Sequence, residues 1–138
     1  MAVTIHGGAE IQGLRRAGAV AAATLAHVTA RVRAGMSTAD IDALVREDTA
    51  RRGGRPSQLG YKGFPAAVCT SVNEVVCHGV PSRKQVLRDG DIVNVDVTTE
   101  IGSFHGDTSI TIAVGPPEAL SADARRVLEL GRRCLAAG

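Results

Sequence analysis

The chain has 138 residues, 44% apolar and 22% charged, which suits one domain with a real core and is too short for two. A formal net charge of +2 rests on scattered arginines, with Lys62 and Lys84 the only lysines, so no basic patch points to nucleic acid or a membrane surface. An aromatic content of 2% also removes the stacking platforms of single-strand nucleic-acid binders. Cys69, Cys77 and Cys134 form an odd set without C-x-x-C spacing, which argues against a structural zinc site or a secreted disulfide framework. The first residues lack a basic stretch followed by an apolar run, and no apolar segment reaches membrane-spanning length. The expected setting is the cytoplasm, with the thiols free.

A first helix is expected over 9–33. Ile11, Leu14, Ala17, Ala21, Leu25, Val28 and Val32 recur at three- and four-residue steps and form one apolar stripe. Gly13 and Gly18 interrupt its propensity, and Gly35 is the expected terminator. Ser37 opens a second helix with Asp40 at capping-box spacing, Ile41, Leu44 and Val45 form its buried face, and Gly53-Gly54 stop it. Residues 53–65 form a Gly- and Pro-rich loop. Short strands are expected over 66–70 and 75–78, then a polar connection ending in the turn Asp89-Gly90-Asp91. Residues 92–99 and 104–114 are the clearest strands, and a last helix over 122–137 starts behind Ser121. The order of elements gives an α+β fold with a largely antiparallel sheet covered by helices.

The stretch Ile92 to Val114 carries the chemistry. Val93, Val95 and Val97 point one way, and Asn94, Asp96 and Thr98 the other; Ile110, Ile112 and Val114 share a face, and His105, Asp107, Ser109 and Thr111 take the opposite one. A hairpin centred between Ile101 and Gly102 sets Asp96 directly across from Asp107, with Cβ atoms about 4.5–5.5 Å apart. Facing carboxylates repel unless a proton or a cation intervenes, and a converging pair on rigid strands suits hard or borderline divalent metals. The same pattern is also met by two solvent-facing aspartates on an open sheet face. The alternation leaves both readings standing.

Consecutive blocks carry a family resemblance: LGYKGFPAAVCTS from Leu59, NEVVCHGVP from Asn73, DGDIVNVDVT from Asp89 and FHGDTS from Phe104. With the layout of the first helix and the GMSTADID start of the second, they resemble the N-terminal half of the type I methionine aminopeptidases. The resemblance implies half of a pita-bread fold, so residues 1–138 would be the N-terminal portion of a peptidase domain whose C-terminal half is absent. It implies a metallopeptidase that removes the initiator methionine of nascent chains with two divalent ions, drawn from cobalt, manganese, iron, zinc or nickel. Asp96 and Asp107 fall on the family's two aspartate ligands, Asp107 bridging both ions. His78 falls on the histidine that contacts substrate near the scissile peptide, and Tyr61, Phe64 and Cys69 on positions lining the methionine pocket. The implied partners are the N-terminal methionine of nascent peptides and, transiently, the ribosome.

This sequence departs from the pattern at Gln58, where a small residue is usual, and at Phe64, read as standing for a Tyr that brings a hydroxyl. The larger departure is length: the histidine and two glutamates that the family's second half supplies are missing, so the chain is expected to be inactive alone. His105 shares the polar face of Asp107, but the family does not use it as a ligand, and a surface or supporting role is expected. His6 and His27 are expected in solvent. A non-catalytic pita-bread module that binds peptides or proteins is the alternative function. A proline-specific peptidase is less well matched, because its relatives carry an extra N-terminal domain. The stripe from Ile11 to Val32 is expected to cover Val93, Val95, Val97, Ile110 and Ile112, and the last helix to be left partly bare.

Overall fold

The computed structural model describes residues 3–138. Helix α1 (Gly8–Thr29) begins where the Glu10 carboxylate accepts the Gly7 N–H at 2.7 Å. It ends four residues before the expected boundary. The Thr29 hydroxyl turns back to the Leu25 carbonyl at 2.8 Å, and the chain leaves through turns in which Gly35, at φ +87°, donates its N–H to Leu87 O. Gly35 therefore turns the connection onto residues 85–87; it does not cap α1. Helix α2 (Thr38–Arg51) starts at the expected capping box, with Ser37 N–H donating to Asp40 Oδ2 at 2.7 Å and Asp40 N–H to Ser37 Oγ at 3.3 Å.

Strands β1 (Arg55–Pro56), β2 (Cys69–Val72), β3 (Ile92–Ile101) and β4 (Phe104–Ala113) form one antiparallel sheet. β4 pairs along the whole of β3, while β1 and β2 share the other edge of β3 end to end. β1 lies inside the stretch expected to be a loop. The strand expected over 66–70 is displaced to 69–72, and residues 75–78 form no strand. There Asn73, at φ +52°, turns the chain and Val75 N–H closes on Val72 O at 3.1 Å, leaving Val76 and Cys77 exposed without a strand partner.

The hairpin register also differs from expectation. Ile101 pairs with Phe104 across a two-residue turn, Gly102-Ser103, and Gly102 at φ +63° takes the first central position of a type II′ turn. Asp96 therefore faces Ser109, and Asp107 faces Thr98. The shift is two residues, an even number, so every side chain keeps its face.

Val93, Val95, Val97 and Thr99 are fully buried on the inner face of β3, where Val28, Ile41, Val45 and Val68 join them from α1, α2 and the segment before β2. Alpha1 meets β4 through backbone. A Cβ on Gly106 would stand 2.4 Å from Ala17 C and Gly18 N, and one on Gly13 would stand 2.4 Å from the Phe104 ring. Small residues inside α1 are thus its contact surface. Because α1 crosses β4 at Gly106 and brings Leu25 and Val28 over β3, its stripe covers less than expected: Ile11, Leu14 and Ile110 remain 42%, 37% and 46% exposed. Helix α3 (Ala122–Ala137), capped by Ser121 as expected, buries no residue, and Val127, Leu130 and Leu135 face solvent. Among the described residues no helix is long and apolar enough to cross a membrane.

One charged group ties the helices together. Asp48 on α2 is 1% exposed and takes Arg52 Nε at 2.6 Å, Arg51 as a second partner and His27 of α1 at 3.7 Å. His27 is accordingly half-buried, contrary to expectation, while His6 stands at the surface 3.6 Å from Glu10. Burial pushes the Asp48 carboxyl up, but the hydrogen bonds from Arg52 and Arg51 outweigh it and hold the group at about 2. A depressed carboxyl stabilises the fold above its unfolded pKa of about 4, and that contribution is lost as pH falls toward the folded value. Urea titrations should therefore show wild-type stability dropping below pH ~4, with a flatter profile in Asp48→Asn. Gly106→Ala should cost about 1–3 kcal/mol or more in the same assay, since the new methyl meets backbone that cannot give way; an unchanged midpoint would contradict the packing described.

Candidate active site

The outer face of β3 carries Asn94, Asp96, Thr98 and Glu100, and the register sets the corresponding β4 residues beside them. Asp96 is half-buried and Asp107 exposed. They are diagonal neighbours, offset by two residues along the strands, so their Cβ atoms stand nearer 7 Å than the 5 Å of a facing pair. The expected convergence on one face holds; the expected direct opposition does not. Thr98, which faces Asp107, donates its hydroxyl to Asp107 Oδ1 at 2.9 Å and so orients that carboxylate. Thr98 was legible only through the true register, which the strand pattern left free.

Electrostatics distinguish Asp96. Burial raises its pKa, the Asp107 charge raises it further, and His78 acts in the opposite sense. Among the described residues no lysine or arginine forms an ion pair with either aspartate. This is a negative, oxygen-rich spot lacking a built-in counter-ion, as a divalent cation site requires. Among the described residues no group of three or more His, Cys, Asp or Glu side chains converges there.

Around the pair, each element supplies a wall. Cys69 of β2 pairs with Asp96 and is 5% exposed. Gln58 donates Nε2–H to the Asp96 carbonyl at 3.1 Å, which fixes the loop before it against β3. The rim is the short 3-10 turn Tyr61–Gly63, made tight by left-handed residues Gly60, Lys62 and Gly63 and closed by Gly60 N–H donating to Phe64 O at 2.8 Å. His78 lies on an exposed loop at φ +55°, a conformation that costs a non-glycine residue about 1–3 kcal/mol. Its neighbour Gly79 anchors that loop: Thr70 N–H donates to Gly79 O at 2.8 Å, and a Cβ on Gly79 would lie 2.1 Å from Thr70 O. Only glycine allows the His78 loop to sit this close to β2.

Tyr61, Phe64, Cys69, His78, Asp96 and Asp107, singled out from sequence, line a single open cleft of about 770 Å³. Ser57, Gln58, Thr98 and His105 complete it. A cleft of similar size beside residues 31–36 and α2 contains Asp40, already committed to the Ser37 cap, and has no comparable pair of acids without counter-ions. The cleft wall has a chemical signature that can be read without a ligand. Burial, reinforced by the Asp96 charge, pushes the Cys69 thiol up to about 11. At pH 8 roughly one part in a thousand of such a thiol is the reactive thiolate. Iodoacetamide should label exposed Cys77 and Cys134 within minutes and Cys69 at least tenfold more slowly, read by peptide mass spectrometry; equal rates would contradict a buried Cys69 beside a carboxylate.

Comparison with known proteins agrees with this arrangement. The family model for metallopeptidase family M24 matches residues 12–138. Methionine aminopeptidase A of Synechocystis sp. is 41% identical over 99% of this chain and 53% of its own length. Methionine aminopeptidase 2 of Mycobacterium tuberculosis is 49% identical over 76% of this chain and 36% of its own. The crystal structure of methionine aminopeptidase from Thermotoga maritima superposes with a TM-score of 0.91 at 31% identity, covering 99% of this chain and 53% of that one. The chain spans about half the length of the longest-matched relatives or less. The model match over nearly all of its length shows that the chain belongs to metallopeptidase family M24.

Proposed function

We propose that this chain provides one wall of the active site of a metal-dependent aminopeptidase that removes an N-terminal methionine. The observation that carries the reading is the meeting of Asp96 and Asp107, without a counter-ion, in a cleft walled by Tyr61, Phe64 and Cys69. Asp96 and Asp107 would hold the divalent metal, the Asp107 carboxylate being oriented by Thr98. Such ions, of which cobalt, manganese, iron, zinc and nickel all suit a site of this kind, supply Lewis acidity and bring the pKa of bound water toward neutrality. The methionine side chain would lie against Tyr61 and Phe64, with Cys69 at the base; a thiol kept protonated behaves there as a small apolar group. His78 would donate a hydrogen bond to the scissile carbonyl oxygen as charge builds on it, from a loop held by Gly79. The cytoplasm, where nascent chains leave the ribosome, is the fitting setting.

Two carboxylates hold a divalent ion weakly, and a second half, as in relatives about twice as long, would bring the remaining histidine and glutamates. It would also cover α3 and the outer edge of β4, the exposed features that invite association when bare. One observation favours the alternative of a non-catalytic peptide-binding module: the absence of a three-donor group among the described residues.

Peptide hydrolysis separates these readings. The chain alone, with cobalt, manganese or iron(II), should release no measurable methionine from Met-Ala-Ser. Co-expression with a complementary C-terminal half should yield a compact heterodimer and turnover that Asp107→Ala abolishes. Turnover by the chain alone that vanishes in Asp107→Ala would show the site to be complete as it stands. A folded, inactive heterodimer that still binds the peptide would establish the non-catalytic alternative.

A further inference from the structure

Ser57 and His105 meet over β3. Ser57 follows β1 and donates its backbone N–H to Thr98 O at 2.9 Å, so it stands on one side of β3; His105 pairs with Glu100 from β4 on the other side. Their side chains bridge the strand, with Ser57 Oγ and His105 Nδ1 2.9 Å apart, and both line the cleft. Ser57 Oγ has no other hydrogen-bond partner among the described residues. When its hydroxyl donates to Nδ1, the proton of the neutral ring sits on Nε2, the opposite nitrogen.

The bridge stands at a defined distance from the apolar end. Cys69 pairs with Asp96, and His105 with Glu100, four residues further along β3. At ~3.3 Å per residue the floor between them runs about 13 Å, the length of a short extended peptide. Asp96 lies at the Cys69 end of that path, and Asp107, paired with Thr98, lies midway along it. The far end, at Ser57 and His105, is polar.

We propose that His105 is a substrate-binding residue that donates its Nε2–H to the main-chain carbonyl of the residue following the scissile bond, and that Ser57 is the positioning residue that holds the ring. The proposal rests on the aminopeptidase reading, since that reading decides which end of the peptide lies at Cys69. It gives the cleft a reason to prefer peptides over free methionine. The contact is to main chain, so it serves many second residues alike.

The test compares methioninamide with the amide of Met-Ala-Ser as ligands of the intact chain, by amide NMR titration. The tripeptide should bind about three- to tenfold more tightly, the value of one net hydrogen bond. His105→Ala should bring that ratio near one and leave methioninamide affinity unchanged. His105→Gln, which restores a side-chain N–H at similar reach, should recover part of the ratio. Ser57→Ala should lower it and Ser57→Thr preserve it. If His105→Ala does not fold, His105→Phe, of similar size without an N–H, takes its place. A ratio that survives in a folded variant lacking the ring N–H overturns the proposal. If methioninamide itself moves no resonance of Tyr61, Phe64 or Cys69 in the wild-type chain, the aminopeptidase reading fails first and this inference falls with it.

Discussion

The two-residue turn at Gly102-Ser103 sets what every other part of the site can do. With Ile101 closed against Phe104, all ten pairs of β3 and β4 follow, and with them the relative positions of Asp96, Thr98, Asp107 and His105. The conformation Gly102 adopts, φ +63°, matches the twist of the two strands and favours this closure over its neighbours. A slip of one residue would turn one strand over relative to the other and send Asp96 or Asp107 into the core, where Val93, Val95 and Val97 now lie fully buried. Burying a carboxylate there would cost far more than any alternative turn could return. The oily inner face and the turn thus specify the same register independently, and the acidic outer face inherits its geometry from both.

That face is built against its own stability. Asp96 and Asp107 repel, and Asp96 is held above the ordinary carboxylate range by burial and by its neighbour's charge. His78 adds a left-handed backbone beside them. The opposite side of the molecule offsets this. There Asp48 gathers Arg51, Arg52 and His27 at the junction of α1 and α2, and an apolar cluster fills the space between helices and sheet. The division of labour follows the sheet's two faces, with strain and unpaired charge on one and packing on the other.

Much of this was legible from the residues because it rests on short-range rules. Ser37 with Asp40, Ser121, and the alternation along β3 and β4 depend on neighbours a few positions away, and the corresponding elements fall where they were expected. The family blocks likewise brought Tyr61, Phe64, Cys69, His78, Asp96 and Asp107 to attention before the cleft that joins them was visible. What could not be read depends on partners far along the chain. β1 is two residues whose only claim to be a strand is the free edge of β3. Residues 75–78 have strand-like composition but follow the turn at Asn73 and pair with no strand. The bare Ile110 reflects the crossing angle of α1, which no local pattern encodes. Gly13 looked like a weakness in a helix and is instead a seat for Phe104.

The backbone-to-backbone seat of α1 on Gly106 has a consequence for how the molecule comes to be made. Alpha1 leaves the ribosome well before β4, so the glycine it rests on arrives only after α2 and the first three strands have followed. Until then Leu25 and Val28 have no sheet to cover, and the helix must wait with its stripe in water or in the hands of a chaperone. Contacts so distant in sequence close slowly, because the loop between them must be ordered before they form. A helix synthesised ahead of the sheet thus docks only after β4 is made, and the chain is most vulnerable to association while β4 is still unfinished.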